Sequence, residues 1–146
     1  MSSVNDLVRF FRLGLRQRLL LAEAFAAVTI FSLAIRLLPF RRAVQLGSRK
    51  LGAEPGSTPA FQGHDHRWAL DAVGARVPWK AQCFQKGLAL QWMLRRVGQD
   101  ARLHYGVGRD AADRLQAHVW ISQGNEIVFG REEADRFEQV AVYPSC

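Results

Sequence analysis

The chain is predicted to fold as an α+β domain, in which a helix carrying a cysteine packs on a small antiparallel sheet, preceded by an N-terminal helical extension. Three observations predict this. Residues 83–97 repeat with helical period: Cys83, Gly87, Leu90, Leu94 and Val97 form one stripe, Phe84, Leu88 and Trp92 lie beside it, and Gly98 follows as a left-handed terminator. Residues 116–122 alternate with period two, placing Ala117, Val119 and Ile121 on one face and Gln116, His118 and Trp120 on the other. Gly124-Asn125 then makes a tight turn into a second strand, Glu126-Ile127-Val128-Phe129.

The other elements follow in order. Residues 101–107 alternate and read as a strand, the Asp- and Arg-rich 108–114 as a solvated hairpin loop, and 139–143 as a last strand, giving strands near 101–107, 115–123, 126–130 and 139–143. Upstream, helices are expected around 4–15, from 17 to 36 or 38, and from 39 to 51 with Pro39 in the first turn. Residues 53–63 are rich in Gly, Pro, Ser and Thr and read as a linker. The chain thus divides into a basic helical extension (1–52), a linker (53–63) and a core (64–146).

Charge is uneven. Residues 1–52 hold nine Lys and Arg against Asp6 and Glu23, so the whole formal net charge of +7 lies in the N-terminal third. The apolar run 24–35 is short for a bilayer span and no signal-peptide cleavage site follows it, so burial against the core or a partner is favoured. Basic flanks also suit an anionic membrane surface, and membrane association is the less favoured reading. The arginines flank apolar helices without a recognition-helix or zinc-finger pattern, so no nucleic-acid partner is expected. Two cysteines, one of them the terminal Cys146, make no disulfide framework; a reducing, cytoplasmic location is expected, with Cys83 free.

Cys83 is the candidate nucleophile. In the first turn of a helix it sits among unpaired backbone N–H groups and at the positive end of the helix dipole, both of which favour thiolate. A cysteine at a helix start is often only a small buried hydrophobe, and a strand histidine is often structural. The pairing matters more: a helix-borne Cys followed 35 positions later by a strand-borne His is the chain order of papain- and transglutaminase-like enzymes. His104, alternating with Leu103 and Tyr105, is a second possible base. His64-Asp65-His66 lacks the further ligands of a metal site and reads as exposed helix N-terminal residues, so neither metal nor cofactor is expected.

Cys83-Phe84-Gln85-Lys86-Gly87-Leu88-Ala89-Leu90-Gln91-Trp92-Met93-Leu94-Arg95-Arg96-Val97-Gly98, followed by Ala101-Arg102-Leu103-His104-Tyr105-Gly106-Val107, resembles the core block of the transglutaminase-like peptidases that mature lasso peptides. Gln116-Ala117-His118-Val119-Trp120-Ile121 resembles that family's His-bearing strand, and residues 69–78 its preceding helix. The resemblance implies a cysteine peptidase that removes the leader from a ribosomally made precursor, freeing an N-terminus for an ATP-dependent cyclase. It also implies a separate leader-recognition protein, because the helical N-terminal third has no room for a fused one.

Carried over by position, Cys83 is the nucleophile and His118 the general base, with the backbone N–H of Cys83 as oxyanion donor and Gln82 a possible supplement. The family's triad Asp falls at Gly130. The orienting carboxylate is therefore expected from Glu132 or Asp135, with Glu126 too far along the strand. Counting out from the two-residue turn sets His118 opposite Arg131. If neutral groups hold the imidazole instead, Gly130→Asp is expected to raise activity. The alternatives are an acyl transferase using the same residues, or a catalytically weak binding or scaffold module of the same maturation complex.

Overall fold

A computed structural model describes residues 8–49, 62–79 and 82–144. Most of the expected linker, Cys146, the start of the first expected helix and the end of the third lie outside the described residues. After a short helical stretch at 8–12 the order is α1 (Leu15–Leu37), α2 (Phe40–Ser48), α3 (Gln62–Gly74), α4 (Cys83–Arg96), β1 (Ala101–Arg109), β2 (Leu115–Gln123), β3 (Glu126–Phe129), α5 (Arg131–Ala134) and β4 (Glu138–Tyr143). The four strands form one antiparallel sheet in the order β3-β2-β1-β4. This is the α+β architecture expected of a transglutaminase-like core.

Local chemistry sets the element ends. Leu38 leaves α1 with an extended backbone, as the residue before a proline must, and Pro39 then starts α2. At the far end of α4, Gly98 adopts φ 81°, and the N–H groups of Gly98 and Gln99 donate to the carbonyls of Arg95 and Leu94 at 3.1 and 3.0 Å. This double closure satisfies carbonyls that the helix leaves unpaired.

One core unites the helices and the sheet. Val28 and Phe31 of α1, Val44 of α2, Leu70 of α3, Leu88, Leu90, Met93 and Leu94 of α4, and Leu103, Val119 and Ile121 of the strands are buried in a single cluster. The helices read as an extension in the sequence therefore share the core of the domain. Gly87 brings α4 onto the sheet: a Cβ there would stand 2.9 Å from Val119 Cγ2, closer than real contacts allow.

The sheet has two unlike faces. Leu103, Val119 and Ile121 point to α4, while His104, His118 and Trp120 point away. That second face is crossed by residues 130–137, which run from β3 at one edge to β4 at the other and lay Phe137 over Gly106 and Gly108. Gln123 pairs with Glu126 across the Gly124-Asn125 turn, as the turn chemistry predicts. A bulge then intervenes, so Ser122 pairs with Ile127 but Ile121 with Phe129. The expected pairing of His118 with Arg131 is thereby overturned: β3 ends at Phe129, and Gly130, at φ 76°, turns the chain into α5.

Candidate active site

Cys83 is the first residue of α4 and half-buried against the core cluster. Gln82 precedes the helix with an extended backbone (φ −75°, ψ 169°), and its N–H donates to the Gln85 side chain, which folds back over the first turn. The approach to Cys83 is anchored on α1, where Trp79 Nε1 donates to Ser32 Oγ at 3.0 Å. Phe84 stacks on Phe40 of α2 with ring centroids 5.2 Å apart. The thiol thus sits at the positive end of a helix held on both sides. Gln82 itself is exposed at the helix N-cap.

His118 is 7% exposed, and its Nε2 lies 3.1 Å from the carbonyl oxygen of Gly130. A carbonyl only accepts, so Nε2 carries the proton and donates, which leaves Nδ1 as the basic nitrogen of the neutral ring. The ring is stacked between Phe137, at 5.1 Å, and Trp120, at 6.2 Å. Nδ1 lies 3.8 Å from Glu133 Oε2, within ion-pair reach once the imidazole is protonated.

The orienting group is therefore a main-chain carbonyl. A side chain at 130 is excluded twice: the backbone is left-handed, and a Cβ would lie 2.7 Å from Val119 O and 3.1 Å from His118 Nε2. Of the carboxylates expected to serve, Glu132 instead accepts from Arg67 Nη2 at 3.2 Å, while Arg67 Nη1 donates to Val128 O, also at 3.2 Å. The Glu132 carboxyl is held below its ordinary range, first by its own backbone N–H, then by Arg67, and least by His118. Asp135 caps the C-terminal end of α5 and is exposed. The acid beside the imidazole is Glu133, because the bulge and the turn at Gly130 reset the phase of α5, where one residue is a swing of about 100°. Nothing in the local sequence marks Glu133 over its neighbours.

The other histidines are placed as follows. His104 has both ring nitrogens engaged, Nδ1 with Gln139 Oε1 and Nε2 with Ser122 Oγ, each at 2.7 Å, and it stacks on Trp120 at 5.6 Å. It is thus built into the sheet by both ring nitrogens. His66, expected to be exposed, is 1% exposed and faces the core: α3 is packed by α1 and α4, and that side of it turns inward. His64 is exposed, and Asp65 pairs with Arg16 at 3.2 Å.

Cys83 begins the helix that packs on the Leu103, Val119 and Ile121 face of the sheet, whereas His118 points from the opposite face. Gly87 contacts Val119, and two helical turns towards the C-terminus would be reached past Gln91, whose Nε2 donates to Tyr143 O at 2.7 Å and to Ala101 O at 3.4 Å. Cys83 lies a turn from Gly87 in the opposite direction, about 6 Å along the axis, towards the part of β2 around His118. Here the β3 pairing has already ended, and Gly130 lies against this part of β2. Among the described residues no hydrogen bond joins the thiol to the imidazole.

Residues 25–142 match the family model of the transglutaminase-like superfamily. The chain belongs to this superfamily. No curated protein and no solved structure matches it. Transglutaminase-like domains are typically cysteine peptidases or transglutaminases, both of which form a thioester on a cysteine, and the cysteine at the start of α4 with a strand-held histidine suits that chemistry.

Proposed function

We propose that this transglutaminase-like protein is a cysteine peptidase that removes the leader from a lasso-type precursor peptide before an ATP-dependent cyclase closes the macrolactam. The observation that carries the chemistry is the held imidazole, with Nε2 committed to Gly130 O and Nδ1 left as the acceptor nitrogen, in a chain that also starts a helix with a cysteine. The substrate reading rests on the resemblance of residues 83–98, 101–107 and 116–121 to the lasso-maturation peptidases. A cytoplasmic location and a separate leader-recognition protein belong to the same reading.

In this mechanism His118 Nδ1 takes the proton of the Cys83 thiol, and the thiolate attacks the scissile carbonyl carbon. The Cys83 N–H, unpaired at the helix start, donates to the oxyanion. Collapse breaks the C–N bond, the core-peptide amine leaves with the proton from Nδ1, and a thioester remains on Cys83. Water activated by the same nitrogen then hydrolyses it, releasing the leader carboxylate. Glu133 stabilises the imidazolium in both halves of the cycle.

Incubating the protein and its recognition partner with the precursor, with the products read by mass, tests the proposal. A leader fragment ending in a free carboxylate is expected. A leader joined to an added amine would mark an acyl transferase instead, and unchanged precursor bound to the protein would mark a scaffold, the reading that the side-chain-free Gly130 favours.

A further inference from the structure

We propose that the outward face of α1 binds an anionic phospholipid surface, with the helix lying in the plane of the membrane. Leu15, Leu19, Ile30, Leu33 and Leu37 fall on one stripe, with Ala22 and Ala26 between them, and all seven are exposed, Leu37 at 77% and Leu15 at 71%. The stripe runs about 33 Å along the helix. An apolar strip of that length is more than a soluble surface ordinarily leaves open to water.

The helix is long and apolar enough to cross a bilayer, but its other side decides against crossing. Ala24, Ala27, Val28, Phe31 and Ala34 are buried in the domain core, and spanning would strip them from it. Only half of the helix circumference is available, which is the geometry of an interfacial helix.

Charge identifies the occupant. Arg12 lies before the stripe, Arg36 beside its end, and Arg41 and Arg42 on the following helix, all exposed. The one acid of α1, Glu23, accepts from Arg96 Nε at 2.6 Å and is turned to the protein side. Among the described residues the outward face of α1 therefore presents hydrocarbon flanked by positive charge and no acid of its own, which complements a layer of phosphodiester headgroups over acyl chains.

The test is sedimentation of the full chain with vesicles of equal parts phosphatidylglycerol and phosphatidylcholine, against phosphatidylcholine alone. Binding is expected to the anionic vesicles, weakened by salt and released by an alkaline carbonate wash. The pair Ile30→Ser with Leu33→Ser should lower partitioning at least about tenfold. Arg36→Gln and Arg41→Gln should each lower it about fivefold. Because these side chains are exposed, thermal unfolding should be unchanged, and the arginine variants serve if the serine pair fails to fold. Wild-type protein left in the supernatant, equal binding to neutral vesicles, or resistance to carbonate would each overturn the proposal. So would a serine pair that still binds vesicles, or one whose only loss is complex formation with the cyclase or recognition protein.

Discussion

The two faces of β1 and β2 come from the same strands and do different work. Towards α4 stand Leu103, Val119 and Ile121, each no more than 1% exposed, closed against a helix that needs Gly87 to come near enough. Away from α4 stand His104, His118 and Trp120, crossed by the segment 130–137. One residue of register separates the two sets. The apolar face ties the sheet to the helix that begins with Cys83; the polar and aromatic face holds the imidazole. Substitutions should therefore sort by face, losing stability on one side and turnover on the other.

The largest effect is expected at the thiol. Cys83→Ala should abolish leader cleavage while thermal unfolding stays near wild type, since a half-buried first helical residue contributes little packing. Iodoacetamide should label Cys83 readily at neutral pH, and that labelling should block turnover. Wild-type cleavage by Cys83→Ala would remove this residue from the chemistry.

The sharpest test of the comparison uses neighbours on β2. His118→Ala should lower turnover by several orders of magnitude, because proton transfer to and from the leaving group is lost. Ile121→Ala, three residues on and on the other face, should cost about 2–5 kcal/mol in unfolding free energy. It should leave kcat of the folded fraction nearly unchanged. His104→Ala should behave like the packing variants, because both its ring nitrogens are engaged within the sheet by Ser122 and Gln139. If instead His104→Ala abolished turnover and His118→Ala spared it, the roles of the two histidines would be exchanged.

Gly130 lies where the two effects meet. Any side chain there meets Val119 O and a left-handed backbone, so Gly130→Ala should destabilise by about 1–3 kcal/mol from the conformation alone. It should also lower kcat by shifting the carbonyl that anchors His118. Gly130→Asp, expected from the sequence to raise activity when neutral groups hold the imidazole, should lower it for the same reason. A gain in kcat for Gly130→Asp would show that the turn can move to seat a carboxylate.

What the sequence made legible was governed by local rules. Helical period and Gly98 marked α4 almost to the residue, alternation marked β2, and Gly124-Asn125 marked the turn, because each is written within a few neighbouring positions. The α+β fold followed from the order of those pieces. The bulge beside Val128 was not written locally, and one inserted residue was enough to move the expected acid from Glu132 or Asp135 to Glu133. His66 was misread for a related reason: its burial depends on α1 and α4 packing around α3, which neighbours in sequence do not encode. The outward stripe of α1 was hidden too, since an all-round apolar helix does not declare which side the core will take.

The smallest effects concern the acids of α5, where the side chains differ in partner rather than in kind. Glu133→Gln should lower kcat a few-fold, because its carboxylate lies 3.8 Å from His118 Nδ1 and stabilises the imidazolium, but is half open to water and screened. Glu132→Gln should leave kcat almost untouched and act through stability instead, by releasing Arg67 from the α3 to α5 latch. The sign with pH follows from the direction of its shift. The folded Glu132 carboxyl is depressed, so the latch stabilises the fold above the ordinary carboxylate range and is lost as pH falls through the folded value. Thermal unfolding midpoints measured from neutral to strongly acidic pH should therefore fall less steeply for Glu132→Gln than for wild type. If Glu132→Gln reduced kcat more than Glu133→Gln, the acid facing the imidazole during turnover would be Glu132, and α5 would have to rotate by about one residue when substrate binds.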